Sequence, residues 1–250
     1  MAPKKKKRLD LLLQERMPKY SRRQIQSWIM QGKVAVDDKI INKAGTLIDE
    51  KDAIIKLDIE EPLYVSRAGF KLEKALNEFS IDVSGLVVLD AGISTGGFTD
   101  CLLQRGAKKV YGVDVGYGQL HEKIRNNPRL VLLERTNLRS LKDLDEKVDL
   151  ITLDLSFISV LKVMDAVLRL LKKDGELIVL IKPQFEAGKY EVGRGGIVRN
   201  EGVRQVIVEH VVNGIKDYDF ILKGLTESPI LGAKGNKEFL AYFKREKGPN

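Results

Sequence analysis

Between Val87 and Asp100 the chain reads VVLDAGISTGGFTD, an apolar run that ends in a carboxylate and turns through glycines into a helix start. Val87, Val88 and Leu89 suit a strand buried on both faces, and Gly92, Gly96 and Gly97 allow a sharp reversal that brings bare backbone against a ligand. The spacing discriminates between ligands. A dinucleotide fingerprint needs G-x-G-x-x-G, but position 94 is Ser, so the pyrophosphate-cradling pattern is not met. What remains, D-x-G-x-x-x-G-G from Asp90 to Gly97, suits S-adenosylmethionine, whose amino-acid moiety and sulfonium call for a carboxylate and close backbone. The expected contacts are Asp90, Gly92, Ser94, Thr95, Gly96 and Gly97. An ordinary tight strand-to-helix turn would carry the same glycines, so the neighbouring strand ends decide between the two readings.

The next apolar run, 109–113, ends in Asp114, about 20 residues past the glycine loop, where a carboxylate accepts ribose hydroxyls and disfavours a 2′-phosphate. Runs 130–133 and 148–153 are followed by Asn137 and Asp154, completing four successive polar strand ends. Ligands of open parallel sheets bind outside the carboxyl ends of the strands, which is where these four would meet. A cation joins them: Lys182 closes the apolar run 176–181 and so sits at the mouth of a buried strand. Lys71 opens a helical stretch before the first of these strands, and Glu238 begins the last strand.

The elements that must position these groups fall into two modules. Beyond residue 62, strand patterns alternate with helical ones to about Lys182, which predicts a doubly wound, Rossmann-like parallel sheet. Two runs without a helix between them, 219–227 and 237–243, predict an antiparallel edge. The N-terminal segment differs in charge. Residues 1–36 hold 10 Lys or Arg against 2 acids, whereas the remaining 33 bases are matched by 33 acids, so the whole formal excess of +8 lies in this segment. That is the footprint of a separate polyanion-binding module, with nucleic acid as its partner. Leu9, Leu12 and Leu13 have helical spacing; Ser21 and Gln24 form an S-x-x-Q capping box before the stripe Ile25, Trp28, Ile29; Gly32 stops that helix. Strand, turn and strand follow over 33–41, and a last strand precedes Glu60-Glu61-Pro62. The expected boundaries are a small α+β module over 1–60, a linker over 61–65 and the catalytic domain over 66–250.

Several function classes are excluded or disfavoured. The single cysteine, Cys101, precludes an internal disulfide and a cysteine-cluster zinc site, and two histidines far apart in sequence do not suggest a metal. No apolar run approaches the roughly 18 residues of a membrane span and no signal-peptide core is present, so a cytoplasmic protein with no membrane partner is expected. Nothing in the sequence sets the oligomeric state.

Six stretches then carry a specific resemblance: SRAGFKL at 66–72, DAGISTGGFTD at 90–100, DLSF at 154–157, IKPQFEAG at 181–188, VGRGGIVR at 192–199, and SPI-LG-x-x-GN-x-E ending at Glu238. Together they resemble the TlyA, or hemolysin A, family of S4-containing ribosomal RNA 2′-O-methyltransferases related to the FtsJ group, over essentially the whole chain. The resemblance implies an FtsJ-like S-adenosylmethionine-dependent catalytic domain, an S4-like RNA-binding domain with Arg22, Arg23 and Lys33 toward the RNA, and ribosomal RNA or ribosomal subunits as partner. It also maps a catalytic Lys-Asp-Lys-Glu tetrad onto Lys71, Asp154, Lys182 and Glu238.

Those residue types suit the chemistry on their own terms. A ribose hydroxyl is a poor nucleophile and needs its proton removed, or its developing alkoxide stabilised, while held in line with methyl and sulfur. Lys182 is the candidate for either role, with the two carboxylates orienting the lysines. An exocyclic-amine methyltransferase would place an N/D-P-P-aromatic turn where this chain has Asp154-Leu-Ser-Phe157, and carbon-5 methylation would need a cysteine near that strand, so ribose methylation is favoured. The glycine-rich segment 188–199, with Lys189, Arg194 and Arg199, suits a basic clamp on the substrate. Competing readings are an assembly factor that binds ribosomes without turnover and a cytolysin.

Overall fold

The computed structural model describes residues 6–18, 20–51, 53–59, 62–187, 193 and 195–246. The chain divides into two compact units, Met1–Pro62 and Leu63–Asn250. In the smaller unit β1 (Lys6–Arg8) leads into α1 (Leu9–Arg16) and α2 (Arg22–Met30), then β2 (Val34–Val36), β3 (Lys39–Ile40), β4 (Leu47–Asp49) and β5 (Ile55–Leu57). Helix α2 starts as its sequence dictates: Ser21 Oγ accepts from Gln24 N, and Gln24 Oε1 accepts from Ser21 N at 2.9 Å. Asp37 and Asp38 both take positive φ, the geometry of a tight hairpin turn between β2 and β3. Leu9, Leu12, Leu13, Ile25, Ile29, Val34, Val36 and Ile48 close a separate apolar core. Strand β1 was not anticipated. Its residues belong to a lysine run, but its backbone pairs antiparallel with β4, from Lys6 opposite Asp49 to Arg8 opposite Leu47.

The larger unit begins earlier than the sequence suggested. Tyr64 is buried in its core and Val65 N donates to the Asp100 carboxylate at 2.8 Å, so residues 63–65 are tied down rather than serving as linker. There follow α3 (Ala68–Glu78), β6 (Val87–Ala91), α4 (Gly97–Gln104), β7 (Lys109–Val113), α5 (Glu122–Arg125), β8 (Leu130–Leu133), β9 (Val148–Leu153), α6 (Met164–Leu170) and β10 (Leu171–Ile181). The chain ends with α7 (Pro183–Glu186), α8 (Glu201–Lys216), β11 (Phe220–Glu227) and β12 (Phe239–Arg245). Seven strands lie in the order β11-β12-β10-β9-β6-β7-β8. Pairings from β10 through β8 are parallel, whereas β12 runs antiparallel to both β10 and β11.

Period-two alternation sends each strand's residues to two cores. Val87, Leu89, Ile151, Leu153, Val179, Ile181, Ala241 and Phe243 face Met164, Val167, Val208 and Val211 of α6 and α8. Val88, Leu150, Ile178, Leu180, Leu240 and Tyr242 face Leu72, Leu76, Phe98 and Leu102 of α3 and α4. Both faces of the sheet are thereby covered, which explains the unbroken apolar runs. Chain order reverses between β6 and β9, and the crevice at such a switch point is where an open α/β sheet binds ligand.

Candidate active site

At that switch point the ends of β6, β7 and β9 open on a cavity of about 550 Å3, whose lining includes Gly92, Ser94, Asp114, Asn137, Asp154 and Phe157. Cofactor pockets have this scale. Gly92, with φ +88°, is held to glycine twice over, because a Cβ there would stand 2.4 Å from the carbonyl oxygen of Asp154. The carboxylate of Asp114 accepts from Ser94 N at 2.8 Å and from Gly116 N at 2.7 Å, tying the glycine loop to the end of β7. Each of its oxygens keeps a further lone pair for a ligand hydroxyl.

Four of the expected loop contacts have other surroundings. Asp90 is fully buried and does not line the cavity; its two carboxylate oxygens accept from Thr99 Oγ1 at 2.6 Å and Thr152 Oγ1 at 2.9 Å. Burial pushes its carboxyl up to about 6, against the pull of the two threonine hydroxyls. Gly96 packs on Ile124 and Leu120, and Gly97 on Ser66 and Ala68, so their smallness serves close packing of the loop. Thr95 is exposed, and its carbonyl accepts from His121 N at 3.2 Å.

Four charged residues expected to act together form two ion pairs. Lys71 Nζ, on α3, donates to Glu238 Oε2 at 2.6 Å, joining residues 167 positions apart in sequence. Lys182 Nζ lies 2.6 Å from Asp154 Oδ1 and donates to Ser156 Oγ at 3.0 Å. The Lys182–Asp154 contact has the distance of a close ion pair. Lys71, Lys182 and Glu238 are all buried, and buried charges must be paired to be tolerated. Glu238 precedes β12 by one residue, and its second oxygen accepts from Gln184 Nε2 at 3.2 Å. Its carboxylate also fills the space that a side chain at Gly232 would need.

Ser156, Phe157 and Gln184 were not singled out from the sequence. The signal was available, since they lie inside the DLSF and IKPQFEAG stretches that flank Asp154 and Lys182. Phe157 is 90% exposed with φ +64°, its ring 4.9 Å from that of Phe185, an uncommon conformation for a large side chain at the rim of a cavity.

Of the expected RNA contacts, Arg23, Lys33 and Arg199 are exposed. Arg194 lies outside the described residues, as does Lys189. Arg22 is also engaged within the small unit: its guanidinium donates to the buried Asp10 at 3.0 and 2.9 Å, joined there by Arg8 and Gln26. Arg8 first, then Gln26 and Arg22, hold that carboxyl well below the usual carboxylate range despite burial. Arg22 therefore clips α2 to α1 while remaining half exposed. Cys101 is buried, and no group of three or more His, Cys, Asp or Glu among the described residues is arranged to hold a metal ion.

A glycine loop, acidic strand ends around one cavity and an antiparallel pair extending a parallel sheet define an S-adenosylmethionine-dependent methyltransferase. Residues 64–245 match the family model of the FtsJ-like methyltransferases, and residues 7–54 match that of the S4 domain. The chain belongs to the TlyA, or hemolysin A, family of S4-containing FtsJ-like methyltransferases. It is 40% identical to the 16S/23S rRNA (cytidine-2′-O)-methyltransferase TlyA of Mycobacterium tuberculosis, over 96% of this chain and 90% of that protein. Identity to Hemolysin A of Brachyspira hyodysenteriae is 44%, over 89% of this chain and 93% of that one. A solved structure named "putative hemolysin" from Streptococcus thermophilus matches with TM-score 0.74 and 39% identity, covering 98% of this chain and 90% of the other.

Proposed function

We propose that this enzyme transfers a methyl group from S-adenosylmethionine to a ribose 2′-hydroxyl of ribosomal RNA in the cytoplasm, with the S4 unit supplying much of the RNA docking. The observation that carries the reading is the pair of buried lysine–carboxylate contacts, Lys71–Glu238 and Lys182–Asp154, the latter beside the cavity at the switch point. The names of relatives that act on cytidine 2′-oxygens support the substrate class.

When bound, S-adenosylmethionine supplies an electrophilic methyl group. Gly92, Ser94, Asp114 and Asn137 line the cavity that would hold it, and Asp114 would accept its ribose hydroxyls. Asp90 contributes from below, through Thr99 and Thr152, by holding the loop in shape. Lys182 Nζ, fixed by Asp154 and Ser156, takes the proton of the target hydroxyl or compensates the charge that develops on its oxygen. Lys71 and Glu238 form a second buried pair, tied through Gln184 to the segment that carries Lys182, and exposed Phe157 offers a face on which the target base can stack. Arg23, Lys33 and Arg199 supply positive charge toward the phosphates, and Arg22 adds its exposed edge.

Single-turnover methyl transfer to ribosomal subunits, with the modified nucleotide mapped as a 2′-O-methyl site, tests this directly. Lys182→Ala lowers the rate by about 100-fold or more while cofactor and RNA affinities change much less. Lys182→Arg separates the two roles, because a guanidinium keeps the charge but does not release its proton. A near-normal rate in the alanine variant would make Lys182 structural.

A further inference from the structure

Gln184 sits directly after Lys182-Pro183, at the second position of α7, and reaches the innermost carboxylate of the site. Its orientation is fixed by charge. Glu238 Oε2 is taken by Lys71 at 2.6 Å, and Glu238 Oε1 lies 3.2 Å from the Gln184 amide nitrogen. An ionised carboxylate only accepts, so the amide must turn its NH2 toward Glu238 and its carbonyl oxygen away. That carbonyl oxygen, Gln184 Oε1, is buried and has no hydrogen-bond partner among the described residues. A buried acceptor left unpaired is costly, so a donor brought by water or by a ligand is favoured there.

Neither neighbouring lysine donates to Gln184 Oε1. Lys71 is bound to Glu238, and Lys182 to Asp154 and Ser156. Gln184 is not among the residues that line the cavity at the ends of β6, β7 and β9. The second substrate of the reaction brings donors of its own. We propose that Gln184 Oε1 is the acceptor for a hydrogen-bond donor carried by the target nucleotide, making Gln184 a specificity-determining residue of the methyl-transfer site. The inference rests on the ribosomal RNA 2′-O-methylation reading. Within an RNA chain the donors of one nucleotide are its ribose 2′-hydroxyl and the N–H groups of its base, so the same acceptor chemistry has two sources.

A double-mutant cycle tests it with the full-length protein. Gln184→Met keeps length and removes the carbonyl; Gln184→Leu serves as a second variant, and S-adenosylmethionine affinity reports that each is folded. Binding is measured to ribosomal RNA segments carrying the natural target nucleotide, its 2′-deoxy analogue, or a base analogue lacking the exocyclic amine. A residue that merely props Glu238 would weaken all three RNAs alike. The expected result is coupling of about fivefold or more in one arm only. Coupling to the 2′-deoxy change identifies the hydroxyl as the donor, and coupling to the amine deletion identifies the base. Additivity in both arms, in both variants, overturns the proposal. A wild-type enzyme that produces no 2′-O-methyl site would defeat the underlying reading, an outcome visible without any Gln184 variant.

Discussion

Asp90 illustrates how a motif residue can act without touching the ligand. It lies one residue before the end of β6, where a carboxylate toward the cofactor was expected, yet the side chain turns into the protein and engages two threonines. Burial raises its carboxyl from the ordinary 3.8 to about 6. A carboxyl raised on folding contributes stability that is complete below the unfolded value, near 4, and is lost as pH rises through about 6. Wild type should therefore gain roughly 1–2 kcal/mol relative to Asp90→Asn when pH falls from about 7.5 to 5. Thermal or denaturant unfolding of both proteins across that range measures it, and parallel pH curves would show that Asp90 does not titrate there. At the same scale, Asp10 has the opposite sign: its depressed carboxyl supports the small unit above pH 4 and loses that support as acid is added.

Among the elements, the glycine loop between β6 and α4 is the least tolerant of change. Gly92 is in the left-handed region, and any Cβ there would meet the backbone of Asp154 at the end of β9. One methyl group would therefore push apart the two strand ends that bracket the switch point, carrying Asp154 and its partner Lys182 with them. Gly92→Ala should cost about 1–3 kcal/mol of stability and weaken S-adenosylmethionine binding together. Melting and calorimetry on the same sample decide it. An alanine variant with wild-type melting and affinity would mean that the loop yields without strain.

For the whole molecule, each unit closes its own core. The apolar cluster around Leu9, Ile25 and Val34 draws all its residues from the first 62, and the sheet's clusters draw all of theirs from the remainder. The formal charge excess is likewise confined to the start of the chain. Removing residues 1–62 should leave S-adenosylmethionine binding by 63–250 intact and strongly weaken ribosomal RNA binding. Full-length affinity should fall as salt rises, because each phosphate neutralised by Lys or Arg releases counterions. Filter binding across a salt series checks both. A truncated enzyme that modifies ribosomes as well as the full chain would remove the docking role of the S4 unit.

Local regularities were legible in the residues themselves. The capping box at Ser21, the stop at Gly32, the polar ends of successive strands and the acid-plus-glycine loop each depend on neighbours within a few positions, so periodicity and residue type suffice to find them. The sequence also marked Lys71, Asp154, Lys182 and Glu238 as a set, through their resemblance to a known pattern. It did not say which lysine meets which carboxylate. That followed from the sheet order, which inserts β12 between β10 and β11 and so brings Glu238 against a helix from the other end of the unit. Nor could spacing reveal that Asp90 turns inward, that Arg22 is engaged by Asp10, that a lysine run makes strand β1, or that one oxygen of Gln184 has no partner among the described residues. Each of these depends on what lies across a packed interface, where burial and the pairing of charges are settled by groups distant in sequence.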